Sequence, residues 1–362
     1  MVLNSLPGIG PVTVNRLLAG FDGDARRVLE AGAQGLRGIE GVDPGVKKSI
    51  ADWRAHFDPG REEERLAASG ADCITAKDAA YPKLLGEIHD PPAVLYRKGS
   101  FGFERPCIAV VGSRRPTFYG VGVARRLASE LAGLGFCVVS GLARGIDTAA
   151  HEGALEAGAP TAAVLGTGID IVYPPENLEL FRRIGAQGAV LSEFPLGRRA
   201  DRSSFAMRNR IVSGMSVAVV VVESAVDGGA MITARFAGEH GRLLFAVPGR
   251  IDQSTSGGCH QLIRDGATLL TGVDDILSEL SYLGGLRPGP IAEKPGTPAA
   301  EKGLTGNEKI VFARFADGSI LAPDAVAAAT GLGAAEVGAA LMVLELKSLV
   351  GKRLDGTYEA RS

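Results

Sequence analysis

The chain is 362 residues long, 46% hydrophobic and 22% charged, with a formal net charge of −2. This is ordinary for a soluble globular protein of about two or three domains, and a near-neutral balance counts against a nucleic-acid binder that relies on overall charge. No apolar run is longer than Val217 to Val222, which is far too short to span a bilayer, and the opening MVLNSLPGIG lacks the apolar core of a signal peptide.

Residues 1–65 read as short helices punctuated by glycine. LPGIGPVTVNRLL at 6–18 has the Gly-Ile-Gly hairpin and following helical turn of a helix-hairpin-helix element, with a looser copy in IEGVDPGVKKSI at 39–50. Such glycines let a backbone approach a DNA phosphate, and the helix N-terminus behind them offers free N–H groups. The same glycines could equally join the helices of a small bundle, and nine bases against ten acids over 1–65 imply weak DNA affinity. Residues 66–105 form a mixed approach segment in which Pro82, Pro91 and Pro92 forbid a long helix.

From 106 to about 282 the pattern is strand, turn, helix, repeated. The apolar runs Ile108–Val111, Phe136–Val139, Thr161–Leu165, Ala189–Leu191, Val217–Val222, Leu243–Val247 and Thr268–Leu270 lack polar alternation, as strands covered on both faces should. Between them lie helical patterns such as Val121, Ala124, Leu127, Ala128, Leu131 and Leu134. Alternation of this kind predicts an α/β fold with a doubly wound, mostly parallel sheet. Residues 284–303, rich in Pro and Gly, read as an extended or disordered linker. Residues 304–362 resume compact patterning, with three short helices and an Asp355-Gly356 hairpin signal. That is the layout of a winged helix, and six bases against seven acids leave protein contact as open as duplex DNA.

The ends of the predicted strands carry the chemistry. The first runs into GSRRPT, where Gly112, Ser113, Arg114 and Arg115 precede a helix N-terminus and make an anion pocket. The second runs into SGLARGIDTAAH, where Gly141 and Gly145 permit a tight turn, Ser140 can donate to a phosphate and Asp147 can cap the next helix. The third ends in GTGIDIVYPPEN, again glycine-rich, so that several phosphate cradles line one rim of the sheet. No GxGxxG follows the first strand and no ribose-binding acid ends the second, so this is not the dinucleotide fingerprint. Downstream, Glu223 stands at a strand end, Gly228 and Gly229 enter a helix capped near Thr233, and Pro248, Gly249 and a polar loop precede a helix around His260. For Glu223 and Thr233, capping and turn formation weigh slightly more than function.

FPLGRRADRSSFAMRNRIVSGM at 194–215 is the most informative stretch. Arg198, Arg199, Arg202, Arg208 and Arg210 face a single acid, Asp201, with Phe205 among them. Guanidinium forks that grip phosphates beside a ring that stacks a base are what a single-stranded nucleic-acid groove requires. The alternative is a loop whose arginines pair with acids elsewhere and whose Phe205 is core.

Cys73, Cys107, Cys137 and Cys259 show no CxxC pair, and two fall in predicted buried strands, so reduced core thiols in a cytoplasmic protein are expected. His56, His89, His151, His240 and His260 lack metal-ligand spacing; the last three read as helix-surface or supporting residues. No GxSxG, P-loop or HExxH occurs. A phosphate-grasping rim without nucleophile, base or metal site points to binding rather than turnover, with no catalytic residue, metal or cofactor.

GSRRPT, SGLARGID, FAMRNRIVSGMS, VVVVES with GGAMITA, and VPG followed by HQLIRDGA stand in order along 106–270, and there the chain resembles the DprA/Smf family of DNA-processing proteins. The flanks are similar to members that add an N-terminal helical, SAM-like domain and a C-terminal winged helix. The resemblance implies a Rossmann-like core that binds and protects single-stranded DNA and loads the RecA recombinase during natural transformation or recombination. It also implies a cytoplasmic homodimer whose two grooves act on one strand. By motif, Arg114 becomes a phosphate contact, Arg202 takes the place of the family's usual lysine, Phe205 becomes a base platform, and Arg208, Asn209 and Arg210 match its Arg-Asn-Arg core. The family's proline after the aromatic is Ala206 here. The reading therefore places phosphates on Arg114, Arg202, Arg208 and Arg210 and on N–H groups near Ser113, Ser140 and Gly141. Its organisation is a helical domain (1–65), a single-strand-binding domain (66–283), a linker and a winged helix. The rival readings are a nucleotide-processing enzyme resembling the lysine-decarboxylase-like phosphoribohydrolases, whose PGGxGTxxE loop DGGAMITARFAGEH does not reproduce, and a pure protein-docking adaptor.

Overall fold

The computed structural model describes residues 1–282, 304–315, 319–347, 349–353 and 356–360. The chain divides into two compact units, Met1–Ile291 and Ala292–Ser362; the linker expected over 284–303 lies outside the described residues.

The first unit opens with seven short helices: α1 (Val2–Ser5), α2 (Pro11–Ala19), α3 (Ala25–Glu30), α4 (Gly32–Gly35), α5 (Pro44–Ala51), α6 (Trp53–His56) and α7 (Pro59–Ser69). Asp24, Asp43 and Asp58 start α3, α5 and α7 by accepting backbone N–H bonds from the first turn, and proline occupies the opening position of α2, α5 and α7. Leu17, Val28, Leu36 and Ile50 form their own fully buried core.

A nine-stranded sheet follows: β1 (Asp72–Ile74), β2 (Leu95–Lys98), β3 (Cys107–Gly112), β4 (Cys137–Ser140), β5 (Thr161–Val164), β6 (Ala189–Ser192), β7 (Ala218–Val222), β8 (Leu243–Ala246) and β9 (Thr268–Leu269). Its order is β1-β2-β6-β5-β4-β3-β7-β8-β9. The seven strands expected from the apolar runs are β3 to β9, all parallel to one another. β1 and β2 add an antiparallel edge that the sequence did not announce, being short and separated by proline-broken chain.

Seven helices cover the faces: α8 (Phe118–Gly133), α9 (Ile146–Glu156), α10 (Leu178–Gln187), α11 (Arg202–Gly214), α12 (Gly229–Glu239), α13 (Gly257–Arg264) and α14 (Val273–Tyr282). Successive β3 residues point to opposite faces. Ala109 and Val111 meet α11, α12 and α13 through Ile211, Ala234 and Leu262, while Ile108 and Val110 meet α8, α9 and α14 through Leu127, Ala150 and Ile276. The strands step from β3 through β4 and β5 to β6, and the chain then returns to place β7 on the other side of β3. Order therefore reverses between β3 and β7, and the carboxyl ends of these strands open onto the crevice where ligands of such sheets bind.

The second unit has α15 (Gly306–Phe312), α16 (Pro323–Thr330), α17 (Ala334–Leu346) and the antiparallel hairpin of β10 (Val350–Lys352) and β11 (Tyr358–Ala360), with Gly356 at φ +84° in the turn. Val311, Phe315, Val326, Val337 and Leu344 fill its core, giving the expected winged helix. No single helix among the described residues is long and apolar enough to cross a membrane.

Two expectations need correction. His151 is not a helix-surface histidine: it is fully buried, and its Nδ1 lies 2.8 Å from the Thr161 hydroxyl. Because that hydroxyl donates to the Val138 carbonyl, the ring donates to it, and burial drives the imidazole pKa down to about 3. Asp147 is not a helix cap: Gly145 holds that position, and the Asp147 carboxylate instead accepts from the N–H groups of Gly141 (3.0 Å) and Ala143 (3.2 Å) in the preceding loop. The four cysteines are free, with Cys107, Cys137 and Cys259 buried.

Candidate nucleic-acid interface

A cavity of about 450 Å³ opens at the carboxyl ends of β3, β4 and β7. Gly112, Ser113, Arg114 and Arg115 form one wall, Gly141, Ala143 and Asp147 a second, and Ser224, Ala225, Gly228, Gly229 and Ala230 a third. The fourth wall is α11. Its residues Arg202, Phe205, Ala206, Asn209 and Val212 line the cavity, and their spacing of three or four is one helical face. The helix begins there because the Asp201 carboxylate accepts from Ser204 N while the Ser204 hydroxyl accepts from Asp201 N.

Arg114, Arg115 and Arg202 are exposed, and none has an ion-pair partner among the described residues. The Arg114 guanidinium carbon sits 5.0 Å from the centre of the Phe205 ring, a cation–π distance. Phe205 is half-buried and tilted against Tyr173 at 5.4 Å. Gly166 backs the ring so closely that a Cβ there would lie 2.8 Å from it. Gly166 and Tyr173 thus pack against the ring, and Phe205 lines both the main cavity and a smaller one shared with Arg144 and Tyr173. Cation and ring converge on one concavity, as a groove for unpaired bases needs.

Of the ten residues expected to bind, Gly112, Ser113, Arg114, Gly141, Arg202, Phe205, Arg208 and Asn209 line this cavity; Ser140 and Arg210 do not. Their chemical availability differs. Ser140 is fully buried and its hydroxyl donates to Val110 O at 2.7 Å, so it cannot serve a phosphate. The Gly141 N–H is taken by Asp147, and the Ser113 N–H by the Glu223 carbonyl at 2.8 Å. The glycines that read as phosphate cradles instead admit protein atoms: a Cβ on Gly141 would collide with the Arg208 guanidinium, and one on Gly166 with Phe205. Asn209 donates to the Gly229 carbonyl at 3.3 Å, tying α11 to the start of α12.

Arg210 is corrected outright. It is 2% exposed, with Nη2 2.7 Å from both Glu193 carboxylate oxygens and Nε 3.1 Å from Asp90. Arg208, 3% exposed, lies under the floor and donates from Nη1 to the Val164 carbonyl, while its Nε has no partner among the described residues. Burial drives its pKa down to about 10; Asp147 opposes that shift and the Arg114 charge adds to it. Burial likewise raises the Asp147 and Glu193 carboxyls, against the pull of their arginines. Arg198 pairs with Asp201 at 2.7 Å. The alternative reading of 194–215 therefore holds in part: Arg210 pairs with acids outside the stretch, while Arg202 has no ion-pair partner among the described residues.

Arg115 and Glu223 complete the site. The Glu223 carboxylate accepts from Thr117 N at 2.8 Å and from the Thr117 hydroxyl, pinning the 113–117 loop, and Glu223 holds φ +52° to do so. That is the turn-forming role its strand-end position suggested. Thr233 is buried in α12, whose cap is Gly228 rather than a residue near Thr233.

With this geometry in place, residues 72–281 match the family described as DNA recombination-mediator protein A, and residues 295–356 match the DprA winged helix domain. Protein Smf of Synechocystis sp. is 33% identical, the match covering 99% of this chain and 97% of that one. DNA processing protein DprA of Streptococcus pneumoniae is 43% identical over 57% of this chain and 73% of its own length. Among solved structures, DprA from Streptococcus pneumoniae superposes with a TM-score of 0.64 at 33% identity, covering 75% of this chain and 94% of that one. DNA processing protein A from Helicobacter pylori, described by its single-stranded DNA binding mode, gives 0.53 at 30% identity over 59% and 98%.

Proposed function

The chain belongs to the DprA/Smf family of DNA recombination mediators, and on that premise we propose that it binds single-stranded DNA without sequence preference, in the crevice between β3, β7 and α11. The observation that carries this reading is the convergence of three guanidinia without ion-pair partners among the described residues, on Arg114, Arg115 and Arg202, with the half-exposed Phe205 ring on one cavity. Backbone phosphates lie on the lip arginines and a base stacks against Phe205, while Arg208 adds positive potential from below. Binding without turnover is part of the reading. Asp147, the one carboxylate among the described residues lining the cavity, is buried and held by two backbone N–H groups. The reading extends, on family membership alone, to protecting the strand and loading the RecA recombinase as a cytoplasmic homodimer in transformation or recombination.

The test is titration of oligo-dT against the unmodified protein and Arg114→Glu. The charge reversal should weaken binding by more than the roughly one to two powers of ten assigned to a lost stacked base. Affinity should fall steeply with salt, because each neutralised phosphate releases counterion. Unchanged binding by Arg114→Glu, or a flat salt titration, overturns the reading.

A further inference from the structure

The carboxyl edge of the sheet carries a second, separate aromatic. Phe118 is 99% exposed, although a side chain of this kind is ordinarily driven out of water. It opens α8, directly after the loop that presents Arg114 and Arg115, and four residues limit its Cα to about 14 Å from that of Arg114.

The ring does not ride on a loose segment. Thr117, its neighbour, is the N-cap of α8, accepting from Gly120 N at 3.2 Å, and is itself clamped by the Glu223 carboxylate. Tyr119, on the other side, donates its hydroxyl to the Pro248 carbonyl at 3.1 Å. Phe118 is thus a pre-positioned, solvent-facing ring on a fixed turn, with Arg115, exposed and without an ion-pair partner among the described residues, three positions before it. Another cation and ring, Arg114 and Phe205, border the crevice.

We propose that Phe118 is a second base-stacking platform, taking a nucleotide further along the same strand as it leaves the crevice over Arg115. This rests on the single-strand reading given above. A base suits the position better than a protein partner: one ring flanked by a free guanidinium offers a π-face beside a phosphate contact, whereas protein interfaces concentrate apolar area and exclude charge at their centre.

The experiment compares Phe118→Ala, Phe118→Trp and Phe205→Ala on oligo-dT from about four to about sixteen nucleotides, the span of single-fold sites. Phe205→Ala should weaken binding at every length. Phe118→Ala should leave the shortest strands unaffected and weaken the longer ones by roughly fivefold or more, with Phe118→Trp restoring them. Equal affinity of Phe118→Ala and the unmodified protein at all lengths overturns the proposal. So does a loss on the shortest strands matching that of Phe205→Ala, or a loss of self-association by light scattering with DNA affinity intact. If instead Phe205→Ala and Arg114→Glu both bind normally, the crevice reading fails, a result distinct from failure at Phe118.

Discussion

At the lip of the crevice, Arg114, Arg115 and Arg202 stand in solvent without ion-pair partners among the described residues. Within α11, Arg208 and Arg210 are 3% and 2% exposed and are spent on protein oxygens. The side chain is the same and the roles are opposite. A guanidinium in water keeps all five donors for a ligand, whereas a buried one must be compensated where it lies. The lip can therefore change without unfolding the chain, and the buried pair cannot.

Arg210→Ala puts this contrast under the heaviest load. It leaves Glu193, 3% exposed, without its cation, which should cost about 3–5 kcal/mol in urea unfolding. Arg210→Met combined with Glu193→Met should recover much of the loss. If Arg210→Ala unfolds normally but binds DNA poorly, the division between lip and buried pair is wrong.

Phe205→Ala acts on the other side of the contrast. Loss of a stacked base should weaken oligo-dT binding by about 1–3 kcal/mol, with a smaller change in stability than Arg210→Ala. An affinity unchanged by this substitution would leave the lip cations without their ring.

The smallest effect sharpens the buried side. His151 is held at about 3 in the folded chain against an ordinary 6.5, by burial first and by the Arg208 charge second. Between those values the unfolded chain takes up a proton that the folded chain refuses, so this stability is complete above pH 6.5 and is lost as pH falls. In His151→Gln the acid slope from pH 6.5 to 5 should be shallower, by up to about 1.4 kcal/mol per pH unit. Identical slopes would show that His151 is protonated in the folded chain.

Much of this was legible from the residues. Strands β3 to β9 announced themselves because both faces are covered and their apolar runs are continuous. Arg114, Arg202 and Phe205 could be singled out from their motifs, and they do line one cavity. β1 and β2 were not, since three or four residues at an antiparallel edge carry too little pattern. The error at Arg210 had a readable warning: Asp201 followed by Ser204 starts a helix, and two residues along a helix turn about 200°, so Arg208 and Arg210 cannot share a face.

By itself the sequence determined the α/β class, the family and the local density of positive charge, because these depend on order and spacing along the chain. Which arginines remain free was settled only by the tertiary structure. Their neutralising partners are distant in the chain, Glu193 and Asp90 for Arg210 and Asp147 beside Arg208. A charge keeps its donors for a ligand only where folding brings no carboxylate or carbonyl within reach, and that proximity is fixed by how the sheet winds and not by any run of residues.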